Sequence, residues 1–148
     1  MTLKIEKETV YNDVDMTTAY IGGKSDGAAL YDSVATKYGN RELLDRYWAE
    51  ACSGATEKFK RFVTEVSPGT DDAYEVNLTT GNRYNEAMTD SIKTSLHAYF
   101  VYMIVCQWLS YCKKDDCETY ANNAVAAMDD VMRKLYHKTA PKRVSSNE

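Results

Sequence analysis

The chain has 148 residues, 44% of them hydrophobic, which suits one domain with a core of its own. A formal charge of -4 and a pI near 5.2 argue against a general polyanion binder, whose phosphate contacts need a clustered positive surface. Two prolines and seven glycines favour long helices over a turn-rich β-sandwich.

Residues 1–21 read as a short extended start, "TLKIEK", followed by a helix through "ETVYNDVDMTTAYI". The opening "MTLKIEKETVYNDV" is charged and lacks the apolar stretch of a signal peptide. The glycines of "IGGKSDG" end the helix and read as a solvated turn, because they form neither a phosphate-loop nor a dinucleotide-binding signature. A second short helix is expected over Ala28–Tyr38, with Gly39 as its C-terminal cap. Asn40 then caps a long helix running to about residue 66, with Glu42 and Asp45 near its positive end. Leu44, Trp48, Ala51, Ala55, Phe59, Phe62 and Val66 form its apolar stripe, and Ser53-Gly54 offers a place to bend. "SPGTDD" stops it.

"YEVNLTT", residues 74–80, alternates Tyr74, Val76 and Leu78 with Glu75, Asn77 and Thr79, the period of a half-buried strand. A lone strand is not stable. It pairs with "TLKIEK", with its own return "GNRYN", or with another copy of the chain. The last option would make the segment at about 70–83 an assembly arm.

The stretch "AYFVYMIVCQWLSYCKK" holds one uncharged polar side chain, Gln107, between Ala98 and Leu109. A membrane span needs about 20 apolar residues. This run is shorter, with Asp90 and Lys93 upstream and Lys113 through Asp116 downstream. Ile92, Leu96, Tyr99, Met103 and Cys106 make one helical stripe, and Phe100, Ile104, Trp108 and Tyr111 make a second. Residues 84–112 therefore read as a central helix covered on both sides, with Trp108 and Trp48 buried. The same residues would suit a face left open for another subunit. "KKDDCE" makes a tight turn, and Asp115 or Asp116 caps a last helix. That helix carries Tyr120, Ala124, Ala127, Val131 and Leu135 on one stripe, beside Met128 and Met132. It ends before Pro141, and 144–148 read as a flexible tail. The class expected is mainly α: one domain over 1–143, a bundle of about four to five helices with a long central antiparallel pair and a short β-strand or hairpin arm.

Twelve tyrosines against three phenylalanines point to half-exposed positions and interfaces, because the ring buries while the hydroxyl stays wet. Cys52, Cys106, Cys112 and Cys117 form no CxxC pair and read as free thiols in a reducing compartment; a Cys112–Cys117 bridge would strain the turn. The two histidines, His97 and His137, fall on different helices. His97 reads as a partly buried, hydrogen-bonded side chain, and His137 as a cation at a helix C-terminus. No zinc spacing or di-iron Glu-x-x-His pattern is present, so no catalytic residue, metal or cofactor is expected. Arg133, Lys134, Lys138, Lys142 and Arg143 cluster in an otherwise acidic chain, completing a helix end or meeting an acidic neighbour or DNA.

An aromatic-rich helix ending "VCQWLSYC", a tight turn, an Ala/Met-bearing helix and the ending "MRKLYHKTAPKR" resemble small helical neck proteins of tailed bacteriophages. The likeness covers Tyr84–Arg143 best, with support from "EACSGATEKFKRFV"; the heavy tyrosine load departs from the family. The resemblance implies a non-enzymatic head–tail connector or adaptor subunit, made in the host bacterial cytoplasm and placed in the virion neck. Its partners would be further copies in a ring, the portal protein and other neck or tail proteins, with incidental contact to DNA in the channel and none to a membrane. The arm would contribute Tyr74, Glu75, Val76, Asn77, Leu78, Thr79 and Arg83; a C-terminal docking tail would contribute Lys138, Pro141, Lys142 and Arg143. The alternative is a small cytoplasmic helical module of bacterial origin that binds or regulates one protein partner.

Overall fold

The computed structural model describes residues 1–23, 35–36, 41–66, 72–141 and 143. The short helix expected over Ala28–Tyr38 lies outside the described residues except at Ala35 and Thr36. The caps at Gly39 and Asn40, most of "SPGTDD", Lys142 and the tail 144–148 lie outside them as well.

The chain opens with β1 (Thr2–Glu6), whose alternation puts Leu3 and Ile5 in the core and Thr2, Lys4 and Glu6 outside. Helix α1 (Lys7–Gly23) follows directly and buries Val10, Tyr11, Val14 and Ile21, one helical stripe. Thr18 is buried on the same face. Its hydroxyl donates to the Val14 carbonyl at 2.9 Å and accepts from the Thr36 amide at 3.0 Å, so the chain near 36 is pinned to α1 without an orphaned polar group.

Helix α2 (Arg41–Lys58) buries Leu44, Tyr47, Trp48, Ala51 and Ala55. It stops eight residues short of the expected end at 66. The chain turns through Phe59–Phe62, with the Phe62 amide on the Phe59 carbonyl at 2.7 Å, and enters β2 (Val63–Val66). The apolar spacing at Phe59, Phe62 and Val66 suits a helix, but Val63, Thr64 and Val66 are β-branched and a strand edge lies beside them. Tertiary pairing decides. α2 itself runs unbroken through Ser53-Gly54. Gly54 serves close approach: a Cβ there would lie 2.6 Å from Tyr99 Oη.

That edge belongs to β3 (Ala73–Leu78), the middle strand of a three-stranded antiparallel sheet ordered β1-β3-β2. Thr2 faces Asn77 and Glu6 faces Ala73 on one side. On the other, Val63 faces Leu78 and Val66 faces Val76, with a register shift between Val63 and Glu65.

A 3₁₀ turn (Glu86–Met88), capped by the Asn85 side chain, leads into α3 (Thr89–Cys112). α3 starts five residues later than the expected 84. It buries Ile92, Leu96, Tyr99, Phe100, Val101, Ile104, Val105 and Leu109, and packs against α4, α1, α2 and β1. Phe100 is the hub: its ring centroid lies 4.9 Å from Trp48, 5.3 Å from Tyr74 and 5.6 Å from Tyr99. The second expected stripe is buried only at Phe100 and Ile104. Trp108 is half-buried, and Tyr111 is 80% exposed at the helix end.

Lys113 alone joins α3 to α4 (Lys114–Tyr136). Asp115 and Asp116 are not caps: both lie in the first turn of α4, where carboxylates suit the positive helix end, and Asp116 pairs with Lys113 at 3.0 Å. Ala124, Met128, Val131 and Leu135 are buried, with Tyr120, Ala127 and Met132 packed beside them. Among the described residues the architecture is mainly helical, four α-helices with a small antiparallel sheet, and α3–α4 form the long antiparallel pair.

The tyrosines divide. Tyr11, Tyr47, Tyr74 and Tyr99 belong to the core, while Tyr20, Tyr111 and Tyr136 are exposed. Tyr11 donates to Asp45 at 2.6 Å and Tyr74 meets the Thr56 hydroxyl at 3.0 Å. The buried Tyr47 hydroxyl finds no hydrogen-bond partner among the described residues.

Candidate docking surface

Two segments were expected to meet partners, and their environments differ. Tyr74, Val76 and Leu78 point into the core at 4%, 0% and 2% exposure. Glu75 and Asn77 lie on the outer face, half-buried, and Asn77 Oδ1 accepts from the Thr2 hydroxyl at 2.5 Å. Both edges of β3 are hydrogen-bonded within the chain, so residues 74–78 form a central strand and present no edge to a neighbour. The arm expected here is thus realised as pairing at home, with "TLKIEK" and with β2. Thr79 continues the pairing by donating its amide to the Phe62 carbonyl at 2.7 Å.

Beyond Thr79 the chain leaves the sheet, and there it meets the C-terminal segment. Thr139 donates its amide to the Arg83 carbonyl at 2.8 Å, and its hydroxyl reaches the same oxygen at 3.2 Å. Tyr84 and Lys138 form an isolated antiparallel bridge. The structure therefore brings Arg83 of the first expected group beside Lys138 of the second. Arg83, Lys138, Pro141 and Arg143 are all exposed. Phe62 and Tyr136 close the corner with an edge-on ring contact at 5.2 Å, which ties the α2–β2 turn to the end of α4. The sequence places Phe62 on the stripe of a helix running to about 66 and leaves Tyr136 off the stripe of the last helix, so the contact between the two rings was not expected.

The basic cluster also splits. Arg133 and Lys134 both pair with Asp130, the lysine at 2.5 Å. Lys134 is 15% exposed and reaches Ser95 Oγ at 2.9 Å, so it serves to hold α4 on α3. Hydrogen bonds from Lys134 and then Ser95 hold the Asp130 carboxyl down at about 2. Among the described residues, Arg83, Lys138 and Arg143 form no ion pair.

Elsewhere several polar side chains are paired with one another. Ser95 and Lys134 are in contact, but the lysine is ion-paired with Asp130 and has no lone pair to take a serine proton. His97 Nε2 meets Asp13 Oδ2 at 2.5 Å, which joins α3 to α1 and is the partly buried, hydrogen-bonded histidine expected. A cleft of about 500 Å³ lies between the start of α1 and the start of α2. Within it Asp45 accepts from Tyr11 and pairs with Lys7 at 2.8 Å, while the Arg41 guanidinium stands 4.6 Å from the Tyr11 ring centre. Burial pushes the Asp45 carboxyl up, but the bonds from Lys7 and Tyr11 outweigh it and leave it below the usual carboxylate range. Among the described residues no group of three or more His, Cys, Asp or Glu could hold a metal ion. No helix among them is long and apolar enough to cross a membrane.

No protein-family model matches the chain, and neither a characterised protein nor a solved structure is significantly similar to it.

Proposed function

We propose that the chain is a structural virion protein, a head–tail connector or adaptor subunit that forms a ring in the phage neck between portal and tail. It works by geometry: the α3–α4 pair is the rigid body, and the corner where Arg83 and Lys138 meet docks on an acidic face of a neighbour. One observation carries the reading. The C-terminal segment is clipped to the exit of β3, which brings the chain at Arg83 and at Lys138 together, two exposed cations with no ion pair among the described residues in a chain of net charge -4. Charge complementarity of this kind orients an encounter more than it deepens affinity, which suits a subunit that assembles on a template. Residues 74–78 take no part in the docking; β3 supports the corner from behind.

The test is assembly. The protein is mixed with a tailed-phage portal ring and weighed by mass photometry, alongside Arg83→Glu/Lys138→Glu. The expected result is a decorated portal ring with the parent chain and binding weakened about tenfold or more by the charge reversal. A parent that stays monomeric beside the portal, or a variant that docks like the parent, overturns the proposal.

A second reading, a small protein-binding or regulatory module of a bacterial cytoplasm, is favoured by Met16, Tyr111 and Val125. These side chains stand 65%, 80% and 62% exposed on α1, α3 and α4. They are separate in the sequence, and isolated apolar side chains are common on protein surfaces. That reading expects a monomer with or without portal.

A further inference from the structure

The turn between α3 and α4 brings two thiols together. Cys106 on α3 and Cys117 on α4 are both free and half-buried, and their sulfurs lie 3.2 Å apart. Cys117 also donates to the Cys106 carbonyl at 3.2 Å, which leaves its sulfur lone pairs to accept from the Cys106 thiol. Cys112, closer to Cys117 in sequence, is aimed elsewhere: its thiol donates back along its own helix to the Trp108 carbonyl at 3.3 Å. Cys52 sits on α2, where burial pushes its thiol up to about 12. Of the four cysteines, only Cys106 and Cys117 are placed to react with each other.

We propose that Cys106 and Cys117 are an oxidisable dithiol that a small-molecule disulfide converts into a covalent clasp across the α3–α4 turn. The exchange balances in two steps. Cys117 loses its proton to solvent, its sulfur attacks one sulfur of the disulfide R–S–S–R, and one RS⁻ leaves and is protonated. Cys106 then loses its proton, displaces the second RS⁻ from the mixed disulfide, and that thiolate is protonated in turn. The protein loses two protons and two electrons; the small disulfide gains them as two R–SH. Burial, reinforced by the hydrogen bond to Cys117, pushes the Cys106 thiol up, which fits Cys106 as the second sulfur to react. The sulfurs must close from 3.2 Å to about 2.05 Å, a change within side-chain rotation for helices already in contact. The clasp would close a short loop and restrict the unfolded chain, so the oxidised protein should melt at a higher temperature. One consequence rests on the function proposed above: a virion subunit assembles in a reducing cytoplasm and then meets an oxidising exterior, so the clasp would form after assembly. The chemistry itself does not depend on that reading.

The test uses the folded, full-length protein treated with oxidised glutathione, read by intact mass and by tryptic peptides without reduction. Trypsin cuts after Lys113 and Lys114, so a bridge appears as Thr94–Lys113 held to Asp115–Arg133. The first peptide carries both Cys106 and Cys112, and fragmentation of the linked pair tells which one is bonded. The expected result is a Cys106–Cys117 link in the wild type and in Cys112→Ser, absent in Cys106→Ser, with a raised melting temperature that a reductant reverses. A link from Cys117 to Cys112, or glutathione adducts without any link, overturns the dithiol. A correct link with an unchanged melting temperature overturns the clasp. Portal binding is not measured in this experiment, so its outcome and that of the neck proposal stand apart.

Discussion

β3 and the segment after α4 are both extended, and both pair antiparallel with another part of the chain, yet their environments are opposite. β3 has a hydrogen-bonded neighbour on each edge and Phe100 against its inner face. The segment 137–141 has one bridge, at Lys138, and side chains that face solvent. A strand sealed on both edges is part of the core. A strand clipped at one point is a mount for whatever its side chains carry. The docking proposed for this chain accordingly rests on the exit of the strand, where the chain at Arg83 meets the chain at Lys138.

Substitution can break this contrast at its strongest point first. Val76 is 0% exposed between Leu3 and Val66, so Val76→Asp buries a carboxylate and should cost more than about 4–5 kcal/mol in urea unfolding. Melting like the parent would mean that β3 is not central. Deletion of 72–82 should likewise prevent folding and not merely remove an appendage. Next in size, Tyr74→Ala removes a ring packed on Phe100 and a hydroxyl bonded to Thr56, at a cost of about 3–5 kcal/mol.

The open segment should respond far less. Thr139→Pro removes the amide that bonds Arg83 and should cost about 1 kcal/mol, with faster amide exchange confined to the neighbourhood of 137–141. Acid sharpens the contrast on the α4 side. The Asp130 carboxyl is held at about 2 when folded, against about 3.9 unfolded, so its contribution is fully present above pH ~4 and is lost as pH falls toward 2. Asp130→Asn should flatten that part of the stability profile, at a cost of about 1 kcal/mol or less at neutral pH because the pair is partly solvated. Smallest of all, Arg83→Glu/Lys138→Glu should change stability by no more than about 0.5 kcal/mol while it disrupts docking. A large drop in melting temperature would assign those cations to the fold.

Much of this architecture is legible in single residues. The stripe from Leu44 to Phe59 is buried as its spacing requires, and so are Ala124, Val131 and Leu135 with Ala127 half-buried between them, because a 3.6-residue period has one physical solution in a bundle. The buried side of 74–78 follows equally from its alternation. The end of α2 does not: Phe62 and Val66 keep the helical period, and only the vacant edge of β3 makes 63–66 a strand. Tyr47 resists reading for a related reason. Its neighbours place it on the core face, but whether a buried hydroxyl finds a partner depends on groups from other elements, and here none of the described ones reaches it.

By itself, then, the sequence determined the helical class, the long α3–α4 pair, the position of β3 and which of its faces is apolar. These depend on short-range periodicity and on composition. Only the tertiary structure decided what lies on the edges of β3, which cations Asp130 neutralises, that Cys117 meets Cys106 and not Cys112, and that Arg83 stands beside Lys138. Each of those is a contact across a turn or between distant segments. Local patterning states which way a side chain faces along its own element; what it meets is set by the packing of another.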